Sequence, residues 1–208
     1  MVRIVKKFGK RRADIIDAAR SLFLSKEYEK TTMQDVMESL GIAKGTIYHY
    51  FNSKEELLEA VVKDIVEKNF QEMQKLMLQL KGNALQKIQT LIETGNIAEE
   101  NKPIVDQLHQ PGNEALHLRL LTATLVKQAP LYAQLIEQGC QEGLFHTASP
   151  LECAELVLSG IQFLTDVGIH PWTPADLTRR ITAFPALIEQ MLKAPPGSFQ
   201  FLAKQYES

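Results

Sequence analysis

The sequence predicts an all-α protein, and three observations predict it. Apolar residues recur at intervals of three and four, Thr and Ser stand where such runs begin, and Gly, Asn and Pro stand where they end. Ile15, Ile16, Ala19, Leu22 and Phe23 keep the i, i+1, i+4, i+7, i+8 spacing of one apolar face, which predicts a first helix over residues 10–25. Thr32 then precedes Met33, Val36, Met37 and Leu40, with Asp35 placed to reinforce the first turn and Gly41 to supply a left-handed stop. The stretch "IAKGTIYHYF", closed by Asn52 and Ser53, leaves room for a third helix of about two turns. Ser53 and Glu56 form a capping box that opens a long helix carrying Leu57, Leu58, Val61, Val62, Ile65, Met73, Leu76 and Leu80.

Beyond Leu80, breaks are expected at Gly82 and Asn83, Asn101 to Pro103, Gln110 to Gly112, Ala129 and Pro130, Gly143, and His170 to Trp172. Ser149, Pro150 and Glu152 place a cap, a first-position proline and a first-turn acid in order, and Thr173, Pro174 and Asp176 repeat the arrangement. The helix from Pro150 is apolar nearly all round, so it is expected to be buried on more than one side. In the helix that follows, Pro185 is expected to produce a kink.

A chain of 208 residues with 45% hydrophobic content can bury a sizeable core in one large or two small domains. It has no uncharged apolar run of about 18 residues, and no apolar stretch follows the charges of "MVRIVKKFGKRR"; the expectation is a soluble, cytoplasmic chain with no membrane partner. Cys140 and Cys153 form no CxxC pair and read as small buried side chains. The net charge of −2 conceals an asymmetry: Arg3, Lys6, Lys7, Lys10, Arg11 and Arg12 all precede the first acid, Asp14, which points to a polyanion bound at that end.

Catalysis finds no support. HExxH, GxSxG, GxGxxG and GxxxxGK[ST] are absent, and His109, His117, His146 and His170 are separated by breakers rather than set at helical ligand spacing. The strongest enzyme alternative is a site assembled from Asp106, His109 and His117; the expectation is no enzyme, no cofactor and no metal.

Two short helices joined by a glycine-containing turn, behind a longer first helix, are the elements of a helix-turn-helix unit, whose second short helix enters the DNA major groove. Ile47 and Phe51, four residues apart, can pack inward while Lys44, Thr46, Tyr48, His49 and Tyr50 remain available for phosphates and base edges. Gly45 lets the backbone approach the duplex.

Residues 12–58, "RADIIDAARSLFLSKEYEKTTMQDVMESLGIAKGTIYHYFNSKEELL", resemble the DNA-binding domain of the TetR family of bacterial transcriptional regulators. The likeness includes the Thr that opens helix two, the "KGTIYHYF" segment and the Lys that follows Ser53; it departs at Ala43, where many members carry a capping Ser or Thr. The resemblance implies a DNA-binding domain over 1–55 and a helical ligand-binding and dimerisation domain over 56–208. It implies a homodimer on palindromic double-stranded DNA, and a repressor that releases its operator when a small molecule binds. It assigns phosphate contacts to Thr32, Lys44, Tyr48, Tyr50 and Lys54, and base edges to Lys44, Gly45, Thr46 and His49. The alternative is a DNA-binding regulator or architectural protein with no small effector.

For a ligand pocket the soft and apolar candidates are Phe70, Met73, Met77, Leu108, Leu121, Leu125, Tyr132 and Phe163, with His109, His117 and Gln162 as polar handles. For the dimer, Leu156, Leu158 and Ile161 of one helix and Leu177, Ile181, Leu187, Ile188 and Met191 of the next can complete a four-helix bundle with a two-fold mate. The same periodicity also fits a monomer core, because spacing does not separate a core from an obligate interface.

Overall fold

The computed structural model describes residues 2–94 and 101–204, with side chains for 9–94 and 101–203. Arg3, Lys6 and Lys7 of the basic run therefore lie outside the described side chains. Among the described residues regular structure is helical, with no strand.

Helix α1 spans Val2–Lys26, so the basic run forms its first turns and is no separate arm. The expected start near residue 10 was late; Lys and Arg, whose helix propensity is close to that of Ala, let the helix run on through the basic segment. Glu27, at φ 67, ends it in the left-handed region. Helix α2, Met33–Leu40, has the expected ends: Thr32 Oγ1 accepts from the Asp35 amide at 3.1 Å, the Asp35 carboxylate accepts from the Thr32 amide at 2.7 Å, and Gly41 turns the chain at φ 60. Helix α3 is only Lys44–Tyr48, with His49 as its carboxy-terminal cap.

Helix α4, Lys54–Gln79, begins differently from the expected capping box. Ser53 Oγ does accept the Glu56 amide at 3.1 Å, but the Glu56 carboxylate takes the amide and side chain of Asn52 at 2.7 and 3.0 Å instead of the Ser53 amide. Helices α5, Ala84–Thr94, and α6, Lys102–Leu108, follow, and α7 runs unbroken from Glu114 to Gln141. Pro130 lies inside α7 and is no break. A mid-helix proline costs about 3 kcal/mol, which neighbouring burial offsets: Leu131, Leu135 and Ile136 are all in the core, each contributing about 1.5–3 kcal/mol.

Helix α8 spans Pro150–Thr165, but Ser149 makes no side-chain cap; its amide donates to Thr147 Oγ1 at 3.1 Å. The expected burial on more than one side is not found within the chain. Among its residues only Cys153 and Ala154 fall in the buried class, whereas Leu156 is 65% and Phe163 56% exposed. Helix α9, Pro174–Leu192, is capped as expected, with Thr173 Oγ1 accepting the Asp176 amide at 3.2 Å, and it continues through the buried Pro185. Helix α10 is the short Phe201–Lys204. No described helix is long and apolar enough to cross a membrane. Cys140 is half-buried and Cys153 buried; both are free thiols.

The chain divides into two compact units. The first joins Met1–Lys68 to Ile97–Leu120, and the second joins Asn69–Asn96 to Leu121–Ser208. This division differs from a boundary at 55/56, because packing gathers α6 into the first unit. Ile104 and Leu108 are buried in the core of Ile15, Phe23, Ile47 and Phe51. Arg20 Nη2 also donates to Asn101 Oδ1 at 2.9 Å, and Gln107 Nε2 to Glu29 Oε1 at 3.1 Å. The second unit has its own core around Met73, Leu91, Leu135, Phe145 and Ile188. In it, Gly139 lies so close to Phe145 that a Cβ would overlap the ring.

Candidate nucleic-acid interface and cavity

The helix-turn-helix geometry is built from local chemistry. Gly41 in the left-handed region lets its amide reach Glu38 O at 3.2 Å and the Ile42 amide reach Met37 O at 3.0 Å, which closes α2 and redirects the chain into α3. Ile47 and Phe51 are then fully buried, as their spacing predicts. The opposite face is open: Lys44, Gly45, Tyr48 and His49 are exposed, and Thr46 and Tyr50 are half-buried. A Cβ at Gly45 would meet open space, so intramolecular packing does not demand glycine there. Ala43 caps α3 without a side-chain hydrogen bond.

Rings and cations in and around α3 are held in place. Lys44 Nζ lies 5.7 Å from the Tyr48 ring centroid, His49 and Tyr50 meet edge to face at 5.3 Å, and Arg12 sits over Phe51 at 5.1 Å. Thr32 is exposed, but both its donors serve Asp35: its amide at 2.7 Å and its hydroxyl at 2.8 Å reach the same carboxylate oxygen. Lys26 binds the other Asp35 oxygen at 2.7 Å. These bonds, the one from Lys26 foremost, pull the Asp35 pKa down to about 2. Lys54 is half-buried, with Nζ donating to Tyr28 O at 3.1 Å. Burial, with the charges of Glu55 and Glu29 adding to it, pushes the Tyr28 phenol up to about 12. Sequence reasoning missed Tyr28 and Lys26 and named Arg12 only as part of the basic run; no periodicity marks their contacts with Lys54, Asp35 and Phe51.

The second unit contains a cavity of about 190 Å³ walled by α5, α7, α8, α9 and the segment after α9. Of the residues named as pocket candidates, it brings in Tyr132. Met73 is a buried core residue, Phe70, Met77 and Leu125 pack against that core, and Phe163 faces outward. Leu121 and Gln162 are half-buried and outside the cavity lining. Leu108, His109 and His117 belong to the first unit, where the turn between α6 and α7 brings the two imidazoles to 4.9 Å, a proximity their spacing of eight conceals. The interface candidates also divide. Leu158 and Ile181 line the cavity, Leu156, Leu187 and Met191 line an outer apolar groove on α8 and α9, and Ile161 and Ile188 contribute to both. Leu177 is half-buried and lines neither.

Residues 15–61 match the family described as bacterial regulatory proteins, tetR family, and residues 96–187 match the tetracyclin repressor-like carboxy-terminal domain. The chain belongs to the TetR family. Among its relatives, the HTH-type transcriptional repressor KstR2 of Mycolicibacterium smegmatis is 24% identical over 168 residues, 79% of this chain and 80% of that one. The HTH-type transcriptional regulator TtgR of Pseudomonas putida is 38% identical over 68 residues, 32% of each chain. A solved transcriptional regulator from Cytophaga hutchinsonii shares the fold, with a TM-score of 0.64 at 21% identity over 92% of this chain and 95% of that one. The family comprises bacterial regulatory proteins.

Proposed function

We propose that the protein is a cytoplasmic, homodimeric transcriptional repressor that binds a palindromic operator through α3 and releases it when a small molecule enters the cavity of the second unit. The observation that carries this reading is the division of labour in and just after α3: Ile47 and Phe51 are buried while Lys44, Gly45, Tyr48 and His49 stand exposed. Lys44, Tyr48, Tyr50, Thr32 and Lys54 are the phosphate-contact set in this reading, and Thr46, His49, Lys44 and Gly45 face base edges. Because Thr32 already donates to Asp35, its phosphate contact requires its hydroxyl to turn away from that carboxylate.

The exposed groove of α8 and α9 supplies the dimer surface, since Leu156, Leu187 and Phe163 would otherwise leave a solvated apolar face. Support for an effector comes from the cavity, and support for repression from KstR2, a named repressor with which the chain shares most of its length.

Selection of bound DNA from a random pool by the purified protein tests the reading. A two-fold symmetric site with half-sites about 34–36 Å apart, or a multiple of that, is expected. Failure to enrich any sequence over the input pool would contradict it.

A further inference from the structure

The cavity has an unusual chemical signature. Its walls, among them Ile88, Val157, Ile161, Phe184, Leu192 and Phe199, are hydrocarbon, and Tyr132 carries the one polar side chain in its lining. Glu189, a carboxylate buried in the same unit, is committed elsewhere, accepting the Phe199 amide at 2.9 Å. No hydrogen bond engages the Tyr132 hydroxyl among the described residues, so it is available to a ligand. Burial also drives its pKa far up, which keeps the phenol neutral and able both to donate and to accept. Tyr132 as a whole is half-buried. That remaining accessibility is compatible with a side chain that lines the cavity.

Size and charge then limit the occupant. A dry apolar cavity of about 150 Å³ takes up benzene, and this one, at about 190 Å³, is somewhat larger. An ion entering it would give up its hydration without meeting a counter-charge, so charged ligands are excluded. A molecule with no polar atom would leave the Tyr132 hydroxyl unpaired. From these constraints we infer that the effector site takes a neutral, largely apolar molecule of about one aromatic ring plus a short chain, with a single oxygen that Tyr132 anchors. The inference rests on the ligand-responsive reading above for its regulatory meaning, but its test does not involve DNA.

Calorimetric titration of the full chain with three compounds of similar size tests it: propiophenone, propylbenzene and 3-phenylpropanoate. Wild type is expected to bind propiophenone about fivefold more tightly than propylbenzene, the size of one neutral hydrogen bond, and to show no binding of the anion. Tyr132→Phe preserves the ring and is expected to remove the preference while leaving propylbenzene affinity unchanged. Retention of the preference in Tyr132→Phe overturns the inference, as does equal binding of 3-phenylpropanoate or binding of none of the three. A protein that binds propiophenone in this way yet selects no DNA would sink the regulatory reading alone.

Discussion

The ammonium of Lys54 lies 4.1 Å from the ring centroid of Tyr28 and donates to the carbonyl oxygen of that same residue. The first turn of α4 is thereby fastened to the segment between α1 and α2, and Phe23 meets the same Tyr28 ring edge to face at 5.1 Å. Lys54 has a structural task alongside any contact with DNA. Lys54→Ala is expected to lower stability by about 1–3 kcal/mol, the range of a charge-assisted hydrogen bond with a cation–π contact. It should also reduce the salt slope of DNA binding by about 0.9. Urea melts and affinities at several salt concentrations read the two effects separately. An unchanged slope with lowered stability would leave Lys54 as a fastening only.

His49 stands exposed at the end of α3, its ring set by the edge-to-face contact with Tyr50. His49→Ala is expected to change which base is preferred at one position of each half-site, at about 1–3 kcal/mol for a lost base contact. Affinities for single-base variants of the selected site check this; a uniform loss across all variants would assign His49 to the backbone instead.

Asp35 gives the first unit an acid limit. Its folded pKa, about 2, lies below the ordinary 3.8, so its ionised form stabilises the fold above about pH 4, and that contribution disappears as pH falls toward 2. Asp35→Asn is expected to melt below wild type at neutral pH, with the difference closing between about pH 4 and pH 2. A pH-independent difference would mean that the hydrogen-bond pattern of the cap, rather than the carboxylate charge, carries the effect.

The outer groove separates a dimer surface from a monomer core. Leu156 is 65% and Leu187 57% exposed in the single chain, so a charge at either position should be tolerated within about 0.5 kcal/mol by an isolated protomer. In a dimer the same charge would be buried and unpaired, at several kcal/mol. Leu156→Glu is therefore expected to yield a folded monomer by sedimentation and circular dichroism. A folded dimer would place the interface elsewhere.

What the sequence disclosed, and what it concealed, follows from the range of each interaction. The ends of α2 were legible because Thr32, Asp35 and Gly41 act within a few residues, and the inward pair Ile47 and Phe51 because four-residue spacing fixes a shared face. Pro130 read as a break because the compensating burial of Leu131, Leu135 and Ile136 is tertiary. The cavity was the least legible feature. Ile88, Val157 and Leu192 have the same periodicity whether they touch one another or surround a space, and only Tyr132 betrayed a polar atom among them.

The central claim is that the occupant of the second unit controls DNA binding by the first, and reciprocal linkage tests it most directly. Helix α4 carries residues of both units along one continuous element, and the proposed effector would act by preferring a state that does not bind operator. A preference of about a hundredfold is roughly 2.7 kcal/mol of coupling. The measurement is the affinity of a cavity-binding compound with and without the selected operator, beside the affinity of operator with and without the compound. The account predicts that both affinities weaken, and by the same factor. Identical affinities in the presence and absence of the other ligand would contradict it.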